Sequence, residues 1–227
     1  MFVHLSHKLD PEDRAFPGEA TLEIRQDRLI GEDGKPFNSV LTTLPNHVGT
    51  HMDGPHHFNT VGTNFDELPI ELFAYEGGEV LVVDLPHRGD FGEVVLKEDI
   101  EPFADQLKGK RLLLIRTGFE KYKFTEPDRY AAEGVSLHPD FCRYLNEEFP
   151  DLVCLGMDFL SVASPTNDYG VEAHHWLLGN YNDHLICAIE DMALADLGDH
   201  TIKLITLGPL RVKGIDSSQV CAMAWVE

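Results

Sequence analysis

The sequence predicts an α/β fold, a single domain over residues 1–227 with a central mixed β-sheet and a few short helices, for which an α+β arrangement is the alternative. Three observations support this prediction. Short apolar runs rich in β-branched residues have the length of buried strands. Segments with helical spacing of apolar residues lie between them. The chain contains no linker rich in proline and serine, and 227 residues suffice for one substantial core.

The first part of the chain is predicted to consist mainly of strands and loops. A short apolar run at residues 2–7 precedes a loop with two prolines and several acidic residues. Residues 21–30 alternate well enough for a strand, and residues 31–36 supply a turn. Residues 79–86 are apolar and β-branched and end at a proline. A buried strand is therefore expected there.

Helices and strands alternate in the second part of the chain. The predicted elements are, in order, a helix over 96–107, a buried strand over 111–119, a helix over 137–149, a strand that begins at 151 and runs into a loop, and two closing strands over 202–214 and 219–227. Pro139 suits the first turn of the second helix, where its missing N–H costs nothing. The two closing strands offer few ionisable side chains for chemistry.

Residues 46–58 contain four histidines within eleven positions, although the whole chain has only 12. His47, His51, Asp53 and His57 are all odd-numbered, so an extended backbone would place them on one side. Two glycines and a proline within the stretch argue against an uninterrupted helix. We therefore predict an extended segment that ends in a turn.

The side chains of this stretch are suited to metal binding. Imidazole nitrogen and carboxylate oxygen are ligands for Zn(II), Mn(II) or Fe(II), and no cysteine lies nearby to narrow the choice. A hydrolytic metal site is the first hypothesis. The alternative is a cluster of surface and turn histidines without a ligand.

The same stretch resembles a known family, the metal-dependent cyclase-family hydrolases, which include bacterial kynurenine formamidase and isatin hydrolase. Their pattern HxGTHxDxPxH is matched at every defined position, by His47, Gly49, Thr50, His51, Asp53, Pro55 and His57. The resemblance implies that His47, His51 and Asp53 are metal ligands, with Asp53 able to bridge two ions, and that His57 is the general acid/base. It also implies a swivelling β/β/α fold and a homodimer or homotetramer.

The resemblance extends to a second set of residues near the C-terminus. Family members have a histidine on a short helix before paired leucines, and a glutamate twelve residues later. The leucines at 177–178 place His174 at the ligand position, and Glu190 matches the glutamate. The separation here is sixteen residues, which an insertion within 180–184 would explain. The choice between His174 and His175 stays open.

Two further elements carry the resemblance. The loop that contains Phe16 would reach the active site, but kynurenine formamidases usually have a tryptophan there that contacts the aryl substrate, so N-formylkynurenine is one candidate among several. Phe16 is expected to contact an apolar or aromatic part of a small carbonyl compound, and Arg14 is a candidate for a substrate carboxylate. Asp158, in a GxDxxSxxxP element, is predicted either to hold a ligand histidine or to bond its own loop backbone.

The resemblance thus implies an amidohydrolase that cleaves a C–N bond of a small amide, with one or two divalent ions, zinc first and manganese second. A lyase or dehydratase of the same family and a non-catalytic metal-binding protein are the alternatives. No GxSxG element is present for a serine nucleophile. Turnover of an activated formanilide or ester by metal-loaded protein, with loss in the His57→Ala variant, separates an enzyme from a binding protein. A panel of N-formyl aryl amides, isatin and cyclic imides tests the substrate.

The composition limits the classes of partner and the cellular compartment that we expect. With 18 Lys and Arg against 39 Asp and Glu, the formal net charge of −21 argues against a nucleic acid partner. No apolar run is long enough for a membrane span, and no secretion signal is expected. The four cysteines are far apart, so we expect reduced, buried thiols in the cytoplasm. The expected partner is a small-molecule substrate.

Overall fold

A nine-stranded mixed β-sheet organises the chain, which the structure, a computed structural model, describes over residues 1–227. The strands are β1 (Phe2–His4), β2 (Glu23–Arg28), β3 (Ser39–Thr43), β4 (His51–Asp53), β5 (Ala74–Glu76), β6 (Val80–Asp84), β7 (Val94–Val95), β8 (Leu112–Arg116), β9 (Ser136–Leu137), β10 (Cys154–Met157), β11 (Cys187–Glu190), β12 (Ile202–Pro209) and β13 (Ser217–Val226). The helices are α1 (Lys97–Ile100), α2 (Ala104–Leu107), α3 (Lys121–Thr125), α4 (Pro127–Ala132), α5 (Pro139–Glu148) and α6 (Gly170–Leu177).

The central sheet has a parallel half and an antiparallel half. Its order is β5-β12-β13-β4-β11-β10-β8-β6, and β1 also pairs with β13. Strands β6, β8, β10 and β11 run parallel, whereas β4 pairs antiparallel with both β11 and β13. The short strand β4 therefore joins the two halves. The prediction of an α/β fold with a mixed central sheet and a few short helices is confirmed, and the extent of one domain over 1–227 stays a prediction.

Apolar side chains of the parallel strands fill a core on each face of the sheet. In β8, Leu113 and Ile115 pack in one cluster with residues of α5 and α6. Leu112 and Leu114, which point the other way, pack in a second cluster with residues of β12 and β13. Helices thus cover one face, and the antiparallel half curls over the other face so that the sheet is nearly barrel-shaped. Because β8, β10 and β11 are buried on both faces, their sequences are nearly continuous apolar runs.

Two predicted elements differ from the structure. The helix expected over 96–107 is broken into α1 and α2 by a 3-10 turn at Glu101–Phe103, because Pro102 lacks the N–H that a continuous helix requires. The strand expected over 21–30 is present as β2, but its residues are all exposed and it pairs only with β3. Strands β2 and β3 form a separate ribbon outside the central sheet.

The thiols are unpaired, and three of the four are buried as expected. The prediction is wrong for Cys221, which is exposed because alternate residues of β13 face outward. None of the helices combines the length and the apolar content that a membrane span requires.

Candidate metal centre

The candidate centre lies where β4 meets the last parallel strand, β11. His51 is paired in register with Glu190, and directly paired residues of neighbouring strands extend from the same face of a sheet. The two side chains meet there, with 3.3 Å between His51 Nε2 and Glu190 Oε2. Glu190 ends β11, so the centre lies at the carboxyl edge of the parallel half, where open α/β sheets commonly bind ligands.

The histidine stretch reaches this point by a bent path: the predicted turn at its end is present, but the predicted extended segment is limited to three residues. Only His51–Asp53 forms a strand; His47 lies in the preceding turn, and His57 ends a 3-10 turn at Pro55–His57. The bend occurs at Gly49, whose φ of +67° is unfavourable for other residues. At the other end, Pro55 starts the 3-10 turn.

The bent path still brings the four predicted side chains together. Asp53 Oδ1 is 3.2 Å from His47 Nδ1 and 3.5 Å from His51 Nε2. The imidazole rings of His47 and His57 have their centroids 4.1 Å apart. The residues therefore cluster around the Asp53 carboxylate through a turn on each side of a three-residue strand.

Helix α6 contributes a further imidazole, and it is that of His174. Its Nε2 is 3.8 Å from Asp53 Oδ2 and 3.7 Å from Glu190 Oε1. The neighbouring His175 points about 100° away around the helix and contacts Tyr181 instead. Of the two histidines that the sequence left open, the structure places His174 at the cluster.

Two overlapping sets of side chains offer ligand atoms within 4.8 Å of one another, His47–Asp53–His57 and His51–Asp53–Glu190. Asp53 belongs to both. His51 Nε2 and both oxygens of Asp53 are buried without any hydrogen-bond partner, a costly state for polar atoms. A divalent cation between them would satisfy all three atoms, and their nitrogen and oxygen chemistry suits zinc, manganese or iron. The residues present therefore fit a metal ion.

Neighbouring groups direct the free atoms of these side chains toward the cluster. His51 Nδ1 donates to the carbonyl of Gly49 at 2.8 Å, and His174 Nδ1 donates to that of Gly170 at 2.6 Å. Both imidazoles therefore direct Nε2 toward the cluster, as the atom that would bind a metal after losing its proton. Glu190 Oε1 accepts from the backbone N–H of Val162 at 2.7 Å, which leaves Oε2 to face His51. Such outer bonds fix the orientation of potential ligands.

Asp216 is a member of the site that sequence reasoning missed. Its Oδ2 lies 2.8 Å from His47 Nε2 and 2.9 Å from His57 Nδ1, and Asn46 Nδ2 donates to Oδ1 at 2.5 Å. Asp216 lies between the two predicted closing strands, directly before β13, so the expectation that those strands offer few ionisable groups did not cover it. The one available signal was a polar run, Asp216 to Gln219, at the start of an otherwise apolar strand.

The carboxylates dominate the electrostatics of the cluster. Burial lowers the pKa of His47, but Asp216 and Asp53 outweigh burial and raise it to about 10. Burial likewise opposes the charged form of His51, whereas Glu190 and Asp53 raise its pKa to about 9. Burial raises the pKa of Glu190, but the two imidazoles beside it bring the pKa well below its usual range. The metal-free cluster thus binds protons tightly, and the same negative potential attracts a divalent cation.

Asp158 contacts none of these histidines. Its carboxylate accepts hydrogen bonds from the backbone N–H and the hydroxyl of Thr117 and from the N–H of Gly118. The predicted role of holding a ligand histidine is therefore wrong. Asp158 bonds backbone as in the alternative, but the backbone belongs to the loop after β8 and not to its own loop.

A cavity of about 160 Å³ opens beside the cluster. It is lined by Phe16, Glu19, His47, His57, Phe58, Leu160, Ser161, Ala163, His174 and Glu190. Phe16 lies in this wall, where the sequence placed it. Phe58, which the sequence analysis did not single out, stacks on His174 with ring centroids 4.3 Å apart. Arg14 does not line the cavity, because its guanidinium pairs with Asp128 at 2.6 Å.

Comparison with known proteins places the chain in a family. The family described as putative cyclase matches residues 3–164. The chain belongs to this family. The matched part of the putative cyclase domain contains the whole histidine stretch and ends before His174 and Glu190. The resemblance predicted from residues 47–57 is therefore confirmed.

Relatives of this putative cyclase include enzymes of named activity. An uncharacterized protein of Haemophilus influenzae is 37% identical over 124 residues, 55% of this chain and 84% of that protein. Kynurenine formamidase of Bacillus cereus is 29% identical over 222 residues, 98% of this chain and 96% of that enzyme. Isatin hydrolase A from Ralstonia solanacearum shares the fold, with a TM-score of 0.80 at 15% identity, covering 100% of this chain and 92% of that one. Isatin hydrolase A from Labrenzia aggregata also shares the fold, with a TM-score of 0.79 at 21% identity. The match covers 99% of this chain and 93% of that one.

Proposed function

We propose that the protein is a metal-dependent amidohydrolase that cleaves the C–N bond of a small amide, such as an N-formyl aryl amide or a cyclic amide. The observation that carries this proposal is Asp53, whose two buried oxygens have no hydrogen-bond partner and lie among imidazoles. Further support comes from the kynurenine formamidase relatives, which align along nearly the whole chain.

The metal would be held by His47, His51 and Asp53, with His174 and Glu190 completing a site for one or two ions. Zinc is our first choice and manganese our second, because both accept imidazole and carboxylate ligands. A divalent ion at such a site lowers the pKa of water and polarises a carbonyl oxygen.

His57 is the proposed general acid/base. Its Nδ1 bonds Asp216 Oδ2 at 2.9 Å, which leaves Nε2 as the ring atom available for proton exchange with a substrate. His57 also lines the cavity, which places it within reach of a bound amide. After taking a proton at Nε2, it can deliver that proton to the departing nitrogen, which must be protonated to leave as an amine.

Two aromatic rings give the cavity an apolar wall. Phe16 and Phe58 both line it, and such rings favour a flat apolar or aromatic part of a substrate. The volume of about 160 Å³ is close to that of an engineered apolar cavity of roughly 150 Å³ that holds benzene. We therefore expect one ring of the substrate to fit beside the cluster, with any longer substituent at the mouth.

The resemblance to the family also leads us to propose a homodimer or homotetramer that works in the cytoplasm. Three buried, unpaired thiols support a reducing compartment. The molar mass in solution, measured by light scattering against the 25.5 kDa of one chain, tests the assembly.

Elemental analysis and a substrate panel test the proposed activity. Protein purified without chelator should contain a transition metal and should hydrolyse formanilide, N-formylkynurenine, isatin or cyclic imides. The His57→Ala variant should keep its metal and lose roughly 100-fold or more of its activity. His56→Ala is the matched control, because His56 is exposed and lies next to it.

Four results would contradict parts of this proposal. Absence of a transition metal, both as purified and after soaking, would remove its basis. A metal without turnover of any amide would indicate a metal-binding protein, and an elimination product would indicate a lyase. Loss of metal and activity together in His57→Ala would make His57 a ligand.

A further inference from the structure

The loop that forms the outer wall of the cavity is fixed to the body of the protein by ion pairs. Asp13 Oδ2 lies 3.6 Å from the buried Lys123 Nζ, and Arg14 Nε lies 2.6 Å from Asp128 Oδ1. Lys123 also pairs with Asp191 at 2.8 Å, the residue that follows Glu190. The loop is therefore attached to the strand end that carries part of the cluster.

A tight turn within this loop sets the position of Glu19. The backbone N–H of Glu19 donates to the carbonyl of Phe16 at 3.0 Å, and Gly18 adopts a φ of +95° that other residues rarely tolerate. Phe16 packs against the main apolar core. Because Phe16 is fixed, the turn places Glu19 beside it in the cavity wall.

The carboxylate of Glu19 has no basic partner. Both cations near the loop are occupied, Arg14 by Asp128 and Lys123 by Asp191 and Asp13. No lysine or arginine lines the cavity, and Glu19 is the one lining carboxylate outside the histidine cluster. The mouth of the cavity therefore carries an uncompensated negative charge in a chain whose formal net charge is already −21.

We propose that Glu19 is a specificity-determining residue that favours aryl amides with a cationic substituent over those with a carboxylate. This inference rests on the proposed amidohydrolase function. A ring beside the cluster directs its substituent toward the mouth, where a cation pairs with Glu19 and a carboxylate is repelled. Charge pairs of this exposed kind change affinity by only a few-fold each, so we expect a cation-to-anion preference of about tenfold.

Three N-formyl anilines with the same scaffold test the proposal: formanilide itself, its 3-aminomethyl derivative and its 3-carboxylate. The metal-loaded enzyme should show kcat/KM in the order cation, neutral, anion. In Glu19→Gln the cation-to-anion ratio should fall toward one, and in Glu19→Lys it should invert. The ratio should also shrink when salt rises from about 0.05 to 0.5 M, because salt screens exposed charges.

Glu12 provides the matched control for net charge. It lies in the same loop, is exposed and does not line the cavity, so Glu12→Lys changes the net charge equally while keeping the wild-type ratio within about twofold. A ratio that is the same in wild type and Glu19→Lys would overturn the inference. So would equal effects of the Glu12 and Glu19 substitutions.

Binding without turnover separates this inference from the proposed function. Isothermal titration with benzylammonium and with benzoate compares wild type and Glu19→Lys on the metal-loaded protein. A protein that turns over no amide but changes its benzylammonium-to-benzoate ratio in Glu19→Lys would contradict the proposed activity and support the charge selection. Turnover of formanilide with an unchanged ratio would do the reverse.

Discussion

Asp53 and Asp158 are both fully buried, yet their carboxylates have opposite surroundings. Asp158 accepts hydrogen bonds from Thr117 and Gly118 through backbone N–H groups and a hydroxyl. Neither oxygen of Asp53 has a hydrogen-bond partner. Its nearest polar neighbours are imidazole nitrogens, at 3.2 Å in His47 and 3.5 Å in His51.

The contrast shows that burial of an acid is not by itself a sign of chemistry. Burial raises the pKa of Asp158 even though several donors stabilise its charge, which is the expected cost of removing a carboxylate from water. At Asp158 the donors of a neighbouring loop offset that cost, so this carboxylate has a structural role. Around Asp53 the fold supplies no fixed donor, and the space between Asp53 and the imidazoles suits a cation.

Asp53→Asn is expected to have the largest effect on metal binding. Because Asp53 belongs to both potential ligand sets, the variant should lose more than the roughly 100-fold in metal affinity that follows removal of a ligand's outer partner. Metal affinity is measured by competition with a chelator. The rise in melting temperature on adding metal should vanish as well. A variant that binds metal as tightly as wild type would remove Asp53 from the site.

The pH dependence of metal affinity tests the imidazoles around Asp53. Since the pKa is about 10 for His47 and about 9 for His51 in the metal-free protein, both are protonated near neutrality and must release protons to bind a metal. Affinity should therefore rise between about tenfold and 100-fold per pH unit from pH 6 to 8. Chelator competition at three pH values measures it, and a flat profile would exclude both as ligands.

The stability of the metal-free protein should fall as pH rises, whereas the metal affinity should rise. The pKa values of His47 and His51 are raised on folding from 6.5. Their contribution to the free energy of unfolding is therefore complete below about pH 6.5 and is lost as pH rises through 9 and 10. Urea unfolding after chelation, repeated at pH 7 and pH 10, would show this loss.

Asp158→Asn should affect stability and leave metal binding intact. An asparagine amide would direct its own N–H₂ at the N–H donors of Thr117 and Gly118, so we expect a loss of about 2–4 kcal/mol in the free energy of unfolding. The metal-dependent rise in melting temperature should remain. Urea unfolding with and without metal measures both quantities. Loss of metal from a still folded variant would contradict the structural role of Asp158.

Buried elements were the predictable part of the fold. Strand β8 was found because it is a short continuous apolar run, and α5 because Pro139 and its apolar face mark it. Strand β4 was not predicted as a three-residue strand, because His51 and Asp53 are typical of a ligand site and not of an apolar strand. The break at Pro102 was also missed, since apolar spacing continues across it while the hydrogen bonding does not.

The site was predictable where its residues are close in sequence. Residues 47–57 identified most of it locally, and His174 and Glu190 followed from spacing within the resemblance. Asp216 could not be found this way, because it joins the cluster only through the pairing of the adjacent Ser217 with Asp53 across β13 and β4. Phe58 was missed because its importance depends on stacking with His174, which a sequence does not show.

Asp216 also divides the histidines of the cluster into two groups. His51 and His174 are oriented by backbone carbonyls, whereas His47 and His57 share the Oδ2 atom of Asp216. A side-chain substitution can remove the carboxylate of Asp216, but it cannot remove the backbone carbonyls that orient His51 and His174. Asp216→Asn therefore tests whether the orientation of His57 matters apart from the presence of the ligand cluster.

We expect Asp216→Asn to lower kcat about tenfold to 100-fold, the range for loss of an outer partner, while most of the metal remains because Asp53 and the backbone-held imidazoles are unchanged. An asparagine amide has one acceptor oxygen, which cannot serve both rings as a charged carboxylate does. Removing this negative charge should also lower the pKa of His47 in the metal-free protein, which NMR titration would detect. Asp183→Asn, at an exposed loop position, is the control. An unchanged kcat together with an unchanged His47 pKa would show that Asp216 positions neither imidazole.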